Sequence, residues 1–319
     1  MERTEVERAS ASAPASIGNV GVGFDVIGQA FDAVRDTVTA VVEDRPGVRL
    51  GEVSGIMTRL PDTPRTNTAL AAAHAVLEAA EAPFGVTLSI DKQVPMSAGM
   101  GGSAASAVAG AAAVNALLPH PFTTEELFPF ALEGERVSSN PPPWDNVVAS
   151  LLGGLVIAAR VSPPFLHRLP APKGIVSILF HPAAQIETRA AREILRREVS
   201  MHDAVEHARR IAAFAAGCAM GDIDLIRIGL DDILVEPQRA HLLPALDPVK
   251  RAALGAGALG CSFSGSGPSI FAWALEKDAE AVEAEMAAAF EAEGLPARAY
   301  HAPVDSEGVR VEPVAEPVR

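Results

Sequence analysis

The stretch Val94-Pro95-Met96-Ser97-Ala98-Gly99-Met100-Gly101-Gly102-Ser103-Ala104-Ala105-Ser106 decides how this chain folds in outline. It follows a strand-like run at 86–91 and opens an alanine-rich helical run at 102–117. Glycines at 99, 101 and 102 let the backbone adopt positive φ and approach a ligand closely. Free amides and the positive end of a helix dipole then attract phosphate oxygens. Ser97, Ser103 and Ser106 add hydroxyls. The loop has neither the GxxxxGK[ST] spacing of a Walker site nor the GxGxxG of a dinucleotide fold. Read alone, it is also compatible with a flexible connection before an alanine-rich core helix.

Two further glycine-rich turns lie far from it in sequence. Gly260-Cys261-Ser262-Phe263-Ser264-Gly265-Ser266-Gly267-Pro268 precedes an apolar run, and Gly18-Asn19-Val20-Gly21-Val22-Gly23-Phe24-Asp25 lies near the amino terminus. Each alone is an ordinary tight turn, the second of Asx type. Together they are suited to closing over one ligand.

Composition narrows the classes. The 319 residues are 49% hydrophobic, enough for a sizeable core and, by length, two domains. Forty acidic against 26 basic residues give a net charge of -14, which supplies no basic stripe for nucleic acid. The first residues lack the apolar run of a signal peptide and no stretch suits a membrane span, so a cytoplasmic protein with no membrane or nucleic-acid partner is expected. Cys218 and Cys261 are too few for a disulfide framework and read as reduced, buried thiols.

Strand-like runs at 36–42, 86–91, 154–161, 175–181 and 269–275 alternate irregularly with helical runs, which predicts an α+β fold. The helical runs are 68–80, 102–117, 125–137, 188–198, 203–220, 222–234, 248–256 and 279–293. Thr123 and Glu126 have capping-box spacing. Prolines clustered from 163 to 172 place a domain boundary near 165, dividing 1–165 from 166–319. The last seventeen residues read as an extended strand and a loose tail.

In order and spacing the three glycine-rich segments resemble the GHMP superfamily of small-molecule kinases, named for galactokinase, homoserine, mevalonate and phosphomevalonate members. Within it the chain most resembles the homoserine kinases, over residues 9–275. The text that carries this is PASIGNVGVGFDVIG from Pro14, DNVVASLLGG from Asp145, Thr188-Arg189-Ala190-Ala191-Arg192 and Glu236-Pro237-Gln238-Arg239. The resemblance implies a ribosomal S5 domain 2-like amino-terminal domain, a ferredoxin-like carboxy-terminal domain, and ATP in the cleft between them. It implies phosphorylation of the side-chain hydroxyl of L-homoserine on the route to threonine, with Mg2+ as cofactor and a homodimer as the assembly.

The same resemblance assigns roles by position. Asn19, Asp25, Asp145, Asn146, Arg192 and Arg239 fall where relatives hold the amino acid, with Asp25 suited to its ammonium and the two arginines to its carboxylate. Asn19, Thr188 and Arg192 fall at the reacting centre. Asn67 falls near the adenine. Pro95, Met96, Ser97, Ala98, Gly99, Met100, Gly101, Gly102, Ser103, Ala104 and Ser106 form the nucleotide loop. Ser103 and Glu135 fall at the magnesium position, since a hard cation that keeps its waters needs few protein oxygens. In isolation Glu135 and either arginine read equally as helix-surface charges.

One position departs from the pattern. Relatives commonly carry histidine two residues before the Asp-Asn pair, and here Pro143 stands there, which can offer no side-chain hydrogen bond. No histidine or carboxylate stands out as a base, so direct attack by the substrate hydroxyl is expected, since phosphoryl transfer relies mainly on alignment and charge. A GHMP kinase for another small alcohol and a non-catalytic nucleotide- or amino-acid-binding relative are the alternatives at this stage.

Overall fold

The computed structural model describes residues 6–160 and 162–312. The expected strand end at Val161, the loose tail at 313–319 and the start of the segment read for a signal peptide lie outside the described residues. The first half runs β1 (Arg8–Gly18), β2 (Ile27–Glu43), β3 (Gly47–Gly55), α1 (Thr68–Ala79), β4 (Gly85–Lys92), α2 (Gly102–Asn115), α3 (Phe128–Glu135), α4 (Trp144–Leu152), β5 (Leu155–Arg160) and β6 (Phe165–Leu169). The second runs β7 (Ile175–Pro182), α5 (Thr188–Glu193), α6 (Met201–Met220), α7 (Ile223–Gly229), α8 (Glu236–Arg239), α9 (Leu246–Gly255), β8 (Gly260–Phe263), β9 (Ile270–Leu275), α10 (Ala279–Ala292), β10 (Ala297–Pro303) and β11 (Arg310–Glu312).

One sheet has the order β11-β1-β2-β4-β3, with β5 on the far part of β2 and β6 on β5. The other has the order β10-β7-β9-β8. Taken from β7 to β10, the second half is β-α-β-β-α-β with its first and third strands central, the ferredoxin-like arrangement. The fold is α+β, as expected.

Hydrogen bonding shifts the division of the chain. Phe165–Leu169 falls in the proline-rich segment read as a linker, yet it pairs with β5, so the first sheet extends through Leu169. Arg310–Glu312 returns to pair with β1 in that sheet.

Propensity explains which strands the sequence hides. β1 reads RASASAPASIG, poor in the branched and aromatic residues that mark strands. It is nevertheless buried along almost its whole length, paired with β2 and packed against α2 mostly through small side chains. Pro14 is accommodated at a register shift beside Ala15. β8, read above as part of a turn, is a four-residue edge strand on β9. The helical run at 188–198 narrows to Thr188–Glu193 and that at 222–234 to Ile223–Gly229. The capping box holds: Thr123 N donates to Glu126 Oε2 at 2.8 Å and Glu126 N to Thr123 Oγ1 at 3.4 Å.

α2 is the element on which the site depends. Its residues are buried on every face, as an alanine-rich helix permits. At Gly110 a Cβ would lie 2.7 Å from Ala69 O, so α1 and α2 touch backbone to backbone. Alternation in β7 and β9 sends Ile178, Phe180, Ile270 and Ala272 to a core under α9 and α10. Leu179, Phe271 and Trp273 face the core shared with the first sheet. The two sheets are joined there by Gln29, whose Oε1 accepts from Trp273 Nε1 at 2.8 Å and Ser177 Oγ at 3.1 Å. Cys218 and Cys261 are buried free thiols, and burial pushes the Cys218 thiol up to about 12.

Candidate active site

The loop from Pro95 to Gly101 lies between the two halves, with its carbonyls turned toward protein. Met100 O accepts from Ser16 N at 3.0 Å, Ala98 O from Ser269 N at 3.2 Å and Gly99 O from Ser264 Oγ at 2.5 Å. In a trans peptide the N–H opposes the C=O, so this anchoring turns the amide edge of the loop to the cleft. Ser97, Gly99 and Gly101 have φ of 53, 71 and 63°, and Gly101 is the N-cap of α2. Left-handed residues at alternate positions ahead of a helix start make a concave anion cradle.

Beneath the loop lies a buried ion pair that the sequence reading missed. Lys92 Nζ donates to Asp36 Oδ2, to Gly102 O at 2.6 Å and to Ser106 Oγ at 3.1 Å. Asp36 Oδ1 accepts from the amides of Gln93 and Val94, both at 2.9 Å. The loop therefore has a lysine below it, holding the first turn of α2. A lone Lys closing a strand just before the loop was the available signal.

At the other end of α2's first turn, Ser103 Oγ donates to Glu135 Oε2 at 3.0 Å, and Ser138 Oγ lies 3.3 Å from the same oxygen. Glu135 is fully buried and its Oε1 has no partner among the described residues. Burial raises its pKa to about 7 despite those two hydroxyls. A buried carboxylate oxygen facing a cleft without a donor suits a cation.

The loop after β1 is held by Asn19. Its Oδ1 accepts from Asp25 N at 3.0 Å, its Nδ2 donates to Gly265 O at 2.9 Å, and its backbone N donates to Asp145 Oδ2 at 3.0 Å. One side chain thus ties together the amino-terminal loop and the turn at 265. Asp145 is buried, and burial followed by repulsion from Asp25 raises its pKa to about 6. Asp25 accepts both Arg192 guanidinium nitrogens, at 2.8 and 2.7 Å. Arg239 is 2% exposed, with Nε on Ala191 O at 2.9 Å and Nη1 on Gly265 O at 3.3 Å, and forms no ion pair among the described residues. Burial first, then the Arg192 charge, lower its pKa to about 10. A buried cation with no carboxylate against it among the described residues is built to receive an anion.

Family models for the GHMP kinases N terminal domain and the GHMP kinases C terminal match residues 67–154 and 211–292. A homoserine kinase of Xylella fastidiosa (strain 9a5c) is 44% identical over 95% of this chain and 94% of its own length. The chain belongs to the homoserine kinases of the GHMP kinase family. A homoserine kinase of Chlorobaculum tepidum is 36% identical over 94% of this chain and 96% of its own length. The crystal structure of a homoserine kinase from Cytophaga hutchinsonii superposes with a TM-score of 0.92 at 36% identity, covering 98% of this chain and 99% of that one. Mevalonate kinase of L. major, at TM-score 0.71 and 15% identity, covers 95% of this chain and 99% of its own and shares the fold.

In this GHMP kinase one cleft is lined by Asn19, Met96 to Ser103, Glu135, Asp145, Asn146, Thr188, Arg192 and Arg239. Residues expected from six separate stretches thus converge. Thr188 Oγ1 meets Ser266 Oγ at 3.1 Å across it, and Asn146 Oδ1 accepts from Ser16 Oγ at 3.0 Å. Ser138, Ser139 and Ser266 line the cleft and escaped the sequence reading, while Pro143 leaves its wall apolar at that point.

Five expected contacts lie outside the cleft wall. Ala104 is buried in the core, and Pro95 does not line the cleft. Ser106 donates to Asp36 Oδ2 at 2.6 Å, so its hydroxyl belongs to the pair under the loop. Asn67 caps α1, its Oδ1 accepting from Ala69 N at 3.0 Å and its Nδ2 donating to Pro61 O at 2.8 Å. It borders a side pocket that shares Met96, Ser103 and Ser138 with the cleft as lining residues. Asp25 does not line the cleft, because Arg192 covers its carboxylate.

Proposed function

We propose that this GHMP kinase transfers the γ-phosphoryl group of ATP to the side-chain hydroxyl of L-homoserine, giving O-phospho-L-homoserine and ADP. The observation that carries the amino acid part is Arg239, a buried guanidinium without a carboxylate, beside the Arg192 fork and in the same cleft as the anion-cradling loop. The loop amides receive the nucleotide phosphates, and the side pocket beside Asn67 takes the base. Arg239 and the free edge of Arg192 receive the substrate carboxylate. Asp145, which lines the cleft, takes the ammonium, while Asp25 acts by holding Arg192. The hydroxyl is thereby aligned with the γ-phosphate, and alignment with charge compensation is most of what phosphoryl transfer requires.

Ser103 and Glu135 fit a magnesium site, on the strength of the unpartnered Glu135 Oε1. When bound, Mg2+ offsets phosphate charge. Ser138 donates to the same Glu135 oxygen as Ser103, which leaves Oε1 free for the cation. The homodimer rests on the resemblance, and sedimentation equilibrium tests the assembly.

A coupled ADP assay with MgATP tests the substrate. Turnover of homoserine well above mevalonate and sugar alcohols is expected, and silence with homoserine while another alcohol reacts sinks the reading. Arg239→Gln should raise the KM for homoserine by about 30-fold, since a charge-assisted hydrogen bond to a carboxylate contributes about 2 kcal/mol. The KM for ATP should barely move. Asp145 ionises above about 6, so that KM should also rise as pH falls through 6. Asp145→Asn should show a high KM with no such limb.

A further inference from the structure

Phe24 lies between Gly23 and Asp25 on the loop after β1 and has none of the roles above. Two guanidinium groups lie over its ring. Arg192 Cζ is 5.5 Å and Arg239 Cζ 5.2 Å from the ring centroid. The two cations come from α5 and α8, elements more than forty residues apart in the chain.

Like charges brought to one place oppose each other, and here the repulsion is visible: the Arg192 charge is the largest cause after burial that lowers the Arg239 pKa. Asp25 compensates Arg192 directly through its two-nitrogen fork. Arg239 has only two carbonyls and the ring. An aromatic face carries negative potential and attracts cations most strongly where water is scarce. Phe24 is the neighbour common to both cations that offers such a face. Leucine would fill similar space and supply none of this attraction.

We propose that Phe24 is a positioning residue for carboxylate recognition, its ring holding Arg192 and Arg239 together as a preformed two-cation receptor for the carboxylate of a small amino acid. Because Asp25 and Phe24 are adjacent, one loop orients both arginines: the carboxylate fixes Arg192 by its edge, and the ring attracts both guanidinium groups. The binding site for an amino acid is thereby assembled before the amino acid arrives, which lowers the ordering entropy lost on binding. The inference rests on the homoserine reading above.

The test compares Phe24→Leu with Phe24→Tyr, which keeps the aromatic face. Phe24→Leu is expected to raise the KM for homoserine roughly tenfold, with kcat and the KM for ATP within about twofold of wild type. Phe24→Tyr is expected to restore the wild-type KM. In an Arg239→Gln background, Phe24→Leu should add much less than its full effect, because the ring acts through that arginine. An unchanged KM in Phe24→Leu overturns the inference, as do equal losses in the Leu and Tyr variants or full additivity with Arg239→Gln. If Phe24→Leu does not fold, Phe24→Met carries the same comparison. Wild-type protein that releases no ADP with homoserine overturns the substrate reading and the inference with it. Wild-type turnover with an unchanged Phe24→Leu overturns the inference alone.

Discussion

Replacing Glu135 by glutamine is expected to lower turnover by about 10²- to 10³-fold while making the ligand-free protein more stable at pH 8. The two effects share one cause. Glu135 is fully buried, burial dominates its environment, and its pKa rises from the ordinary 4.5 to about 7. A carboxyl whose pKa is raised by folding contributes stability that is full below about 4.5 and is lost as pH climbs through 7. By linkage the loss at pH 8 is about 3 kcal/mol, the equivalent of the shift between those two values. Glutamine keeps the shape and the hydrogen bond from Ser103 without the buried charge, so the gap between variant and wild type should widen from pH 5 to pH 8 and close again as Mg2+ and nucleotide are added. Urea midpoints across pH, with and without MgATP, read it directly. A variant that keeps full turnover, or that is no more stable than wild type at pH 8, removes Glu135 from the role given to it.

Gly99→Ala is the second large effect. Gly99 has φ of 71°, and an added Cβ would lie 2.4 Å from Ser264 O and 2.8 Å from Gly267 O. Both are main-chain atoms of the opposing glycine-rich turn, so no rotamer change relieves the clash. Left-handed strain and overpacking together should destabilise the protein by about 3 kcal/mol. A shift of the loop by about 1 Å is enough to reduce kcat/KM by about 10²-fold. Gly221→Ala is the matched comparison, since Gly221 also has positive φ, 70°, but nothing within 4 Å of its added Cβ. It should lose only the backbone part, about 1 kcal/mol, with activity intact. Equal destabilisation of the two variants would show that the contact between the turns does not matter.

The helices were legible where composition and caps agreed. The runs at 68–80 and 102–117 lie within a residue or two of α1 and α2, because their alanine-rich sequences favour helix throughout. β1 was not legible, because its alanines and serines have no strand preference of their own and become a strand only by packing between β2 and α2. The strand at 165–169 was read as linker for a related reason. Prolines flank it on both sides, and its place in the first sheet comes from pairing with β5.

For the site, resemblance carried what spacing could not. Four arginines at 189–197 look alike in sequence, and among the described residues only Arg192 meets Asp25. Asn67, Ser106 and Asp25 were assigned as ligand contacts by position, and each has a side chain engaged by a protein partner.

The sequence by itself determined three glycine-rich turns, an alanine helix behind one of them, and the α+β character of the chain, all properties of local conformation. Tertiary structure alone decided that Asp25 pairs with Arg192, 167 residues away, and that Lys92 meets Asp36, 56 residues away. It also decided that Arg239 has no such partner among the described residues. Local propensity sets which backbone shapes are available, whereas the partner of a buried charge is set by sheet register and by which small side chains let two backbones approach.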